Sequence, residues 1–132
     1  MFYFRFLSDE YDNKAGFQLS YVTKYVFSNC GGTYLNESGL LTSPSHPNTY
    51  PPMADCTYLI SQPNGSYISL TTISMDIDCE ETEPADYIEM RDGRFEDSPL
   101  MGRFCGNGTT MPAAMPTTQN YMRIRFDGYY QI

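Results

Sequence analysis

Positive charge is scarce in this chain. Its 132 residues hold 8 Lys and Arg against 16 Asp and Glu, a net charge of −8. Phosphate backbones require a basic surplus, so nucleic acid is excluded as a partner class. Long apolar runs are missing too, and nothing approaches the roughly 18–20 residues of a membrane-spanning helix. No stretch of ten residues shows a helical stripe free of Pro and Gly. No Cys-x-x-Cys pair is present, which removes the usual frame of a structural zinc site. Histidine occurs once, as His46, in a Pro-flanked turn beside Ser43 and Ser45. Neighbours in sequence do not build a catalytic triad, whose members meet through the fold. No His-Glu-x-x-His segment occurs, and a small sandwich leaves little room for the substrate cleft that a pair of glycosidase carboxylates would serve. The expectation is a chain with no chemistry of its own.

What is present is apolar and aromatic. Hydrophobic residues make up 41%, with twelve Tyr and eight Phe, enough for a packed core and against disorder. The length suits one ordinary domain. Apolar residues alternate at period two along Phe2–Phe6, Phe17–Tyr21, Tyr67–Thr72 and Tyr121–Phe126, which predicts strands there. Turn signals separate them: Asp12-Asn13, Pro44-Ser-His-Pro47, Pro51-Pro52, Pro63-Asn-Gly65, Asp92-Gly93 and Gly106-Asn-Gly108. Many short strands at regular spacing mean an all-β sandwich or barrel. An acidic surface of this kind suits cations and basic protein ligands.

Four cysteines, Cys30, Cys56, Cys79 and Cys105, lie at gaps of 26, 23 and 26 residues. An even count without metal spacing points to two disulfides, and spacing alone leaves three connectivities open. Each sequential loop would stabilise the fold by about 3–4 kcal/mol on the chain-entropy view. Three glycosylation sequons begin at Asn36, Asn64 and Asn107, each beside turn-forming Gly or Ser. Cysteines and sequons together imply an extracellular or cell-surface glycoprotein from an oxidising compartment. The N-terminal run has no basic start and is broken by Arg5, so it is not a signal peptide, which is expected upstream of this stretch. Phe2-Tyr-Phe-Arg-Phe6 and Met122-Arg-Ile-Arg-Phe126 share pattern and phase at an offset of 120 residues. A period of that size suggests tandem domains, with this chain cut out of phase.

Several segments carry a family likeness. Cys30-Gly-Gly32, Ser38-Gly-Leu-Leu-Thr-Ser-Pro44 and Pro47-Asn-Thr-Tyr-Pro51 resemble the opening of a CUB domain. Cys56-Thr-Tyr-Leu-Ile60 resembles its second-cysteine strand, Asp86-Tyr-Ile-Glu-Met-Arg-Asp-Gly93 its central strand and turn, and Phe104-Cys-Gly106 its fourth-cysteine signature. The resemblance implies a two-sheet, antiparallel, jelly-roll-like sandwich with sequential disulfides, Cys30–Cys56 and Cys79–Cys105. Leu7-Ser-Asp9 with Gly16-Phe-Gln-Leu-Ser-Tyr21 looks like the end of a preceding CUB domain. The expected division is therefore 1–24 as the tail of one module, 25–29 as a short linker, and 30–132 as a CUB domain lacking its last strand. Phe17–Tyr21 has the pattern of that missing strand, and folding back onto the sandwich is expected slightly ahead of a dangling arm. Such back-to-back modules are most similar to cubilin-type endocytic receptors.

The acidic stretch from Asp76 to Asp86 is the chemically richest segment. A solvated loop would explain it, and its Gly and ligand spacing do not fit an EF-hand. In calcium-binding CUB domains a Tyr-Pro loop, an acid after the strand and an Asp eight residues later build a Ca²⁺ site. Tyr50, Asp78 and Asp86 fall on those three places. Asp78 stands where a longer Glu is usual. The late Asp is absent, because its place falls on Tyr129, leaving Asp127 or Asp9 as substitutes. Binding is therefore expected to be weak.

The resemblance implies an extracellular, calcium-dependent, protein-binding module of a multi-CUB receptor. It would take exposed Lys or Arg of its ligands and sit beside neighbouring CUB modules. Alternatives are a substrate-recognition module of a secreted tolloid-type metalloprotease and a purely structural spacer.

Overall fold

The computed structural model describes residues 3–23, 25–79, 86–109 and 111–128. Seven strands form in chain order: β1 (Gly31–Tyr34), β2 (Ala54–Ser61), β3 (Ser69–Leu70), β4 (Tyr87–Asp92), β5 (Leu100–Phe104), β6 (Met115–Pro116) and β7 (Tyr121–Gly128). They make a five-stranded sheet in the order β1-β2-β7-β4-β5 and a two-stranded sheet, β3-β6. No helix occurs among the described residues. The all-β, two-sheet, two-disulfide expectation holds.

Strand β7 is the middle of the larger sheet, and its burial alternates without a break along all eight residues. Phe126 faces Cys56 on one side and Ile88 on the other, and Ile124 faces Tyr58 and Met90. Those side chains, with Met122 and Ala54, form the inner face, which packs with Ile68, Ile77 and Met115 into one core. Alternate residues face outward and carry charge. Arg125 binds Asp55 at 3.0 Å, and Glu89 accepts from both Arg91 and Arg103 at 2.6 Å. These charges were legible in the sequence as Glu89-Met-Arg91 and Arg123-Ile-Arg125, but their pairing depends on the strand order.

All pairs are antiparallel except β1, which runs parallel to β2. Close approach there requires glycine: a Cβ on Gly31 would lie 2.1 Å from the Thr57 carbonyl oxygen, and its φ is +82°. Cys30–Cys56 ties the start of β1 to β2, and Cys79–Cys105 ties the segment after Ile77 to the end of β5. The pairing is the sequential one.

The N-terminal segment departs from its period. Residues 3–23 form no strand, and every one of them is exposed. Phe17–Tyr21 does not fold back to pair with any described strand, contrary to the expectation. Phe27 is already fixed beside Ala54, donating to Met53 O at 2.8 Å and accepting from Asp55 N at 2.9 Å. Tyr21 is thereby held within about 20 Å of that point even with the chain fully extended. The ring of Phe6 meets that of Phe17 edge-on at 5.0 Å, so the arm's aromatics turn to each other. The Tyr67–Thr72 strand is likewise shorter than its alternation implies, reduced to Ser69–Leu70 opposite Met115–Pro116. Its partner strand is only two residues long, and Pro116 cannot donate to a longer ladder.

Candidate functional site

The starts of β2 and β4 and the end of β7 meet at one end of the sandwich, where Ala54 faces Gly128 and Tyr87 faces Asp127. Tyr50 enters this end from the turn that precedes β2. Its ring packs edge-on against Phe126, centroids 4.8 Å apart. Glycine at 128 makes room, since a Cβ there would lie 3.2 Å from the Tyr50 ring. The Tyr50 hydroxyl donates to Asp86 Oδ2 at 2.5 Å and accepts the backbone N–H of Asp78 at 3.2 Å.

Each partner is held by its own local structure. Asp86 immediately precedes β4 and is only 3% exposed. Asp78 follows Ile77, which is bridged to Gly106 by two backbone hydrogen bonds of 3.0 and 2.7 Å. The neighbouring Cys79 is disulfide-bonded to Cys105, so the Asp78 backbone is pinned on both sides. The Asp78 side chain itself is exposed. Glu80, Glu81 and Glu83, the rest of the acidic stretch, lie outside the described residues.

Tyr50 thus contacts the Asp86 carboxylate and the Asp78 backbone, the three positions that the family resemblance named. The Tyr50 hydroxyl is pushed up to about 12, first by burial and then by the hydrogen bond to Asp86. The phenol therefore stays protonated at any physiological pH and serves to fix Asp86. Asp127 does not join them. It faces the outer side of the sheet, near Arg125 at 3.5 Å and hydrogen-bonded with Tyr87. Asp9 stays on the exposed arm, accepting the N–H of Tyr11 at 2.9 Å. The position expected for the late Asp, Tyr129, lies outside the described residues. No group of three or more His, Cys, Asp or Glu converges among the described residues. The Asp86 carboxylate and the Tyr50 phenol meet there, with the exposed Asp78 side chain on the adjoining backbone, and such oxygen groups suit a hard cation or an ammonium group.

The remaining candidates separate from this end. His46 is exposed in its turn, its backbone N–H donating to Ser43 O at 3.3 Å. Asn36, Asn64 and Asn107 are all exposed.

Comparison with known proteins bears on this arrangement. The family model described as the CUB domain matches residues 30–131. Human cubilin is 32% identical over 127 residues, 96% of this chain and 3% of cubilin. A bone morphogenetic protein 1 homologue from Strongylocentrotus purpuratus is 40% identical over 97 residues, 74% of this chain and 15% of that protein. The chain thus spans a small part of the curated relatives it matches. Among solved structures, the MASP-1 CUB2 domain bound to Ca²⁺ superposes with a TM-score of 0.65 at 28% identity, over 78% of this chain and 89% of that one.

Proposed function

The chain belongs to the CUB family, and from that premise we propose that it is an extracellular module that binds protein ligands through the Tyr50–Asp78–Asp86 end, with calcium. CUB domains are non-catalytic binding modules, and no described helix is long and apolar enough to cross a membrane. The observation that carries the reading is the buried Asp86 carboxylate, held by the Tyr50 hydroxyl beside the backbone of Asp78. A similar domain has been solved with Ca²⁺ bound. Asp86 and Asp78 would supply the carboxylate ligands, and Tyr50 holds Asp86 in place. Calcium, when bound, would lock the two carboxylates into an anionic pocket. The chain's own part is to present that pocket to a ligand Lys or Arg, which it meets by charge-assisted hydrogen bonds with little reorganisation.

The parent protein in this reading is a multi-CUB endocytic receptor. Residues 1–24 would be the tail of a preceding module. Similarity to human cubilin runs through the arm and covers 96% of the chain, whereas similarity to the sea-urchin protein covers 74%. A tolloid-type parent is the second reading, favoured by the higher identity of 40% over that shorter span. Sequencing the parent transcript separates the two: a protease domain selects the second, a long run of CUB units the first.

Calorimetric titration with Ca²⁺ tests the site. Two carboxylates are few for an ion that takes 6–8 oxygens, so the expected Kd is on the order of 10⁻⁴–10⁻³ M, and Asp86→Ala should abolish the heat. Equal binding by the parent chain and the variant would remove Asp86 from the site.

A further inference from the structure

Across the Ile77–Gly106 bridge from the acidic end, the segment from Thr72 to Met75 and the turn beginning at Asn107 enclose a cleft of about 310 Å³. Its wall mixes apolar side chains with the polar groups of Thr72, Ser74 and Thr109. Ile73 is 80% exposed, Met75 and Met111 are half-buried, and the Met111 sulfur takes the Thr72 hydroxyl at 3.4 Å. The turn rides directly on this wall, since a Cβ on Gly108 would lie 3.2 Å from Met75. Asn107, the acceptor of the sequon Asn107-Gly-Thr109, lines the same cleft. Its Oδ1 accepts the Thr109 N–H at 3.2 Å, while Nδ2, the atom that would carry a sugar, has no hydrogen-bond partner among the described residues.

We propose that Asn107 carries an N-linked glycan whose first sugar lies in this cleft and covers Ile73, Met75 and Met111. The inference rests on the extracellular reading above. In the modification Nδ2 loses a proton and bonds to the anomeric carbon of the sugar, and the lipid diphosphate of the donor oligosaccharide departs. Because Asn107 lines the cleft, the first sugar starts beside it. That sugar, an N-acetylhexosamine, offers an acetyl methyl and an apolar ring face to the Ile and Met side chains, and its hydroxyls to water.

The test is peroxide footprinting of the full chain secreted from mammalian cells, with glycans mapped by mass. Thioether oxidation follows exposure, so enzymatic removal of glycan from the folded protein should speed oxidation of Met75 and Met111 by roughly threefold or more. Met53 and Met101, half-buried elsewhere, should keep their rates and report an intact fold. Thr109→Ala, which retains Asn107 but loses the sequon, should oxidise like the deglycosylated chain. Glycans on Asn36 and Asn64 with a bare Asn107 overturn the proposal alone, as do equal Met75 and Met111 rates with and without the sugar. A chain glycosylated nowhere overturns the extracellular reading with it.

Discussion

Residues Met122–Phe126 and the matching run that ends at Phe6 share a pattern of alternating apolar and charged residues, yet one becomes the centre of a sheet and the other an exposed arm. In β7 every apolar residue has a neighbour on two sides: Phe126 lies between Cys56 and Ile88, Ile124 between Tyr58 and Met90. In the arm Phe4 and Phe6 are 59% and 62% exposed, and Phe6 meets the ring of Phe17, itself exposed. Alternation specifies which face a strand would bury. It does not supply the two flanking ladders that satisfy backbone groups and cover that face. The charges follow suit. Arg123 and Arg125 are held by carboxylates across or beside their strand, whereas Arg5 makes no ion pair with a described residue.

Truncation of equivalent aromatics gives the widest separation. Phe126→Ala should cost about 3–5 kcal/mol, because it empties a fully buried site between two strands. Phe6→Ala should stay within about 0.5 kcal/mol. Urea midpoints measure both, and a cost above 1 kcal/mol at Phe6 would show that the arm packs on the module in solution.

Two glycines sharpen the contrast at constant backbone conformation. Gly16 in the arm and Gly31 in β1 both have φ +82°. Gly31→Ala should destabilise by about 3 kcal/mol or more, since the new methyl drives into the Thr57 carbonyl on top of the left-handed penalty. Gly16→Ala meets nothing within 4 Å, and the exposed arm, which forms no strand, can relax the left-handed strain, so the unfolding transition should stay unmoved. Similar thermal midpoints for the two variants would break the distinction.

The smallest effect lies in the outer-face charges. Burial raises the Glu89 carboxyl, but hydrogen bonds from Arg103 and Arg91 outweigh it and hold the group below its usual 4.5. Its folded value is depressed, so the stabilisation is complete above the unfolded value and fades as pH falls through the folded one. Glu89→Gln should therefore cost about 2 kcal/mol at neutral pH, with the gap from the parent chain closing well below pH 4.5. A gap that stays constant into acid would show that the carboxylate charge contributes nothing. Chemical denaturation across that range reads it directly.

Much of this was readable along the chain. Strand β7 followed from period two, the turn at Asp92-Gly93 from its residues, and the second-cysteine strand and the disulfide pairing from the likeness to the family. Tyr50, Asp78 and Asp86 were named from that likeness as well, and the Tyr50 hydroxyl contacts the Asp86 carboxylate and the Asp78 backbone. The likeness could not show that a phenol holds Asp86, nor that Asp127 would face outward. That second outcome follows from the pleat: Phe126 points inward, so residue 127 points outward, into reach of Arg125.

By itself the amino-acid order determined the class of the fold: acidic, all-β, stapled twice, with no helix-forming period and no catalytic motif. These are local properties, set by side-chain periodicity, turn residues and cysteine count. Only the tertiary structure decided which alternating runs became strands, that β1 lies parallel to β2 over Gly31, that Glu89 is shared by two arginines, and that Asn107 lines one cleft with Ile73, Met75 and Met111. Each depends on contacts between residues far apart in the chain. Such contacts form only where a second edge or face lies within reach to repay the ordering of the first.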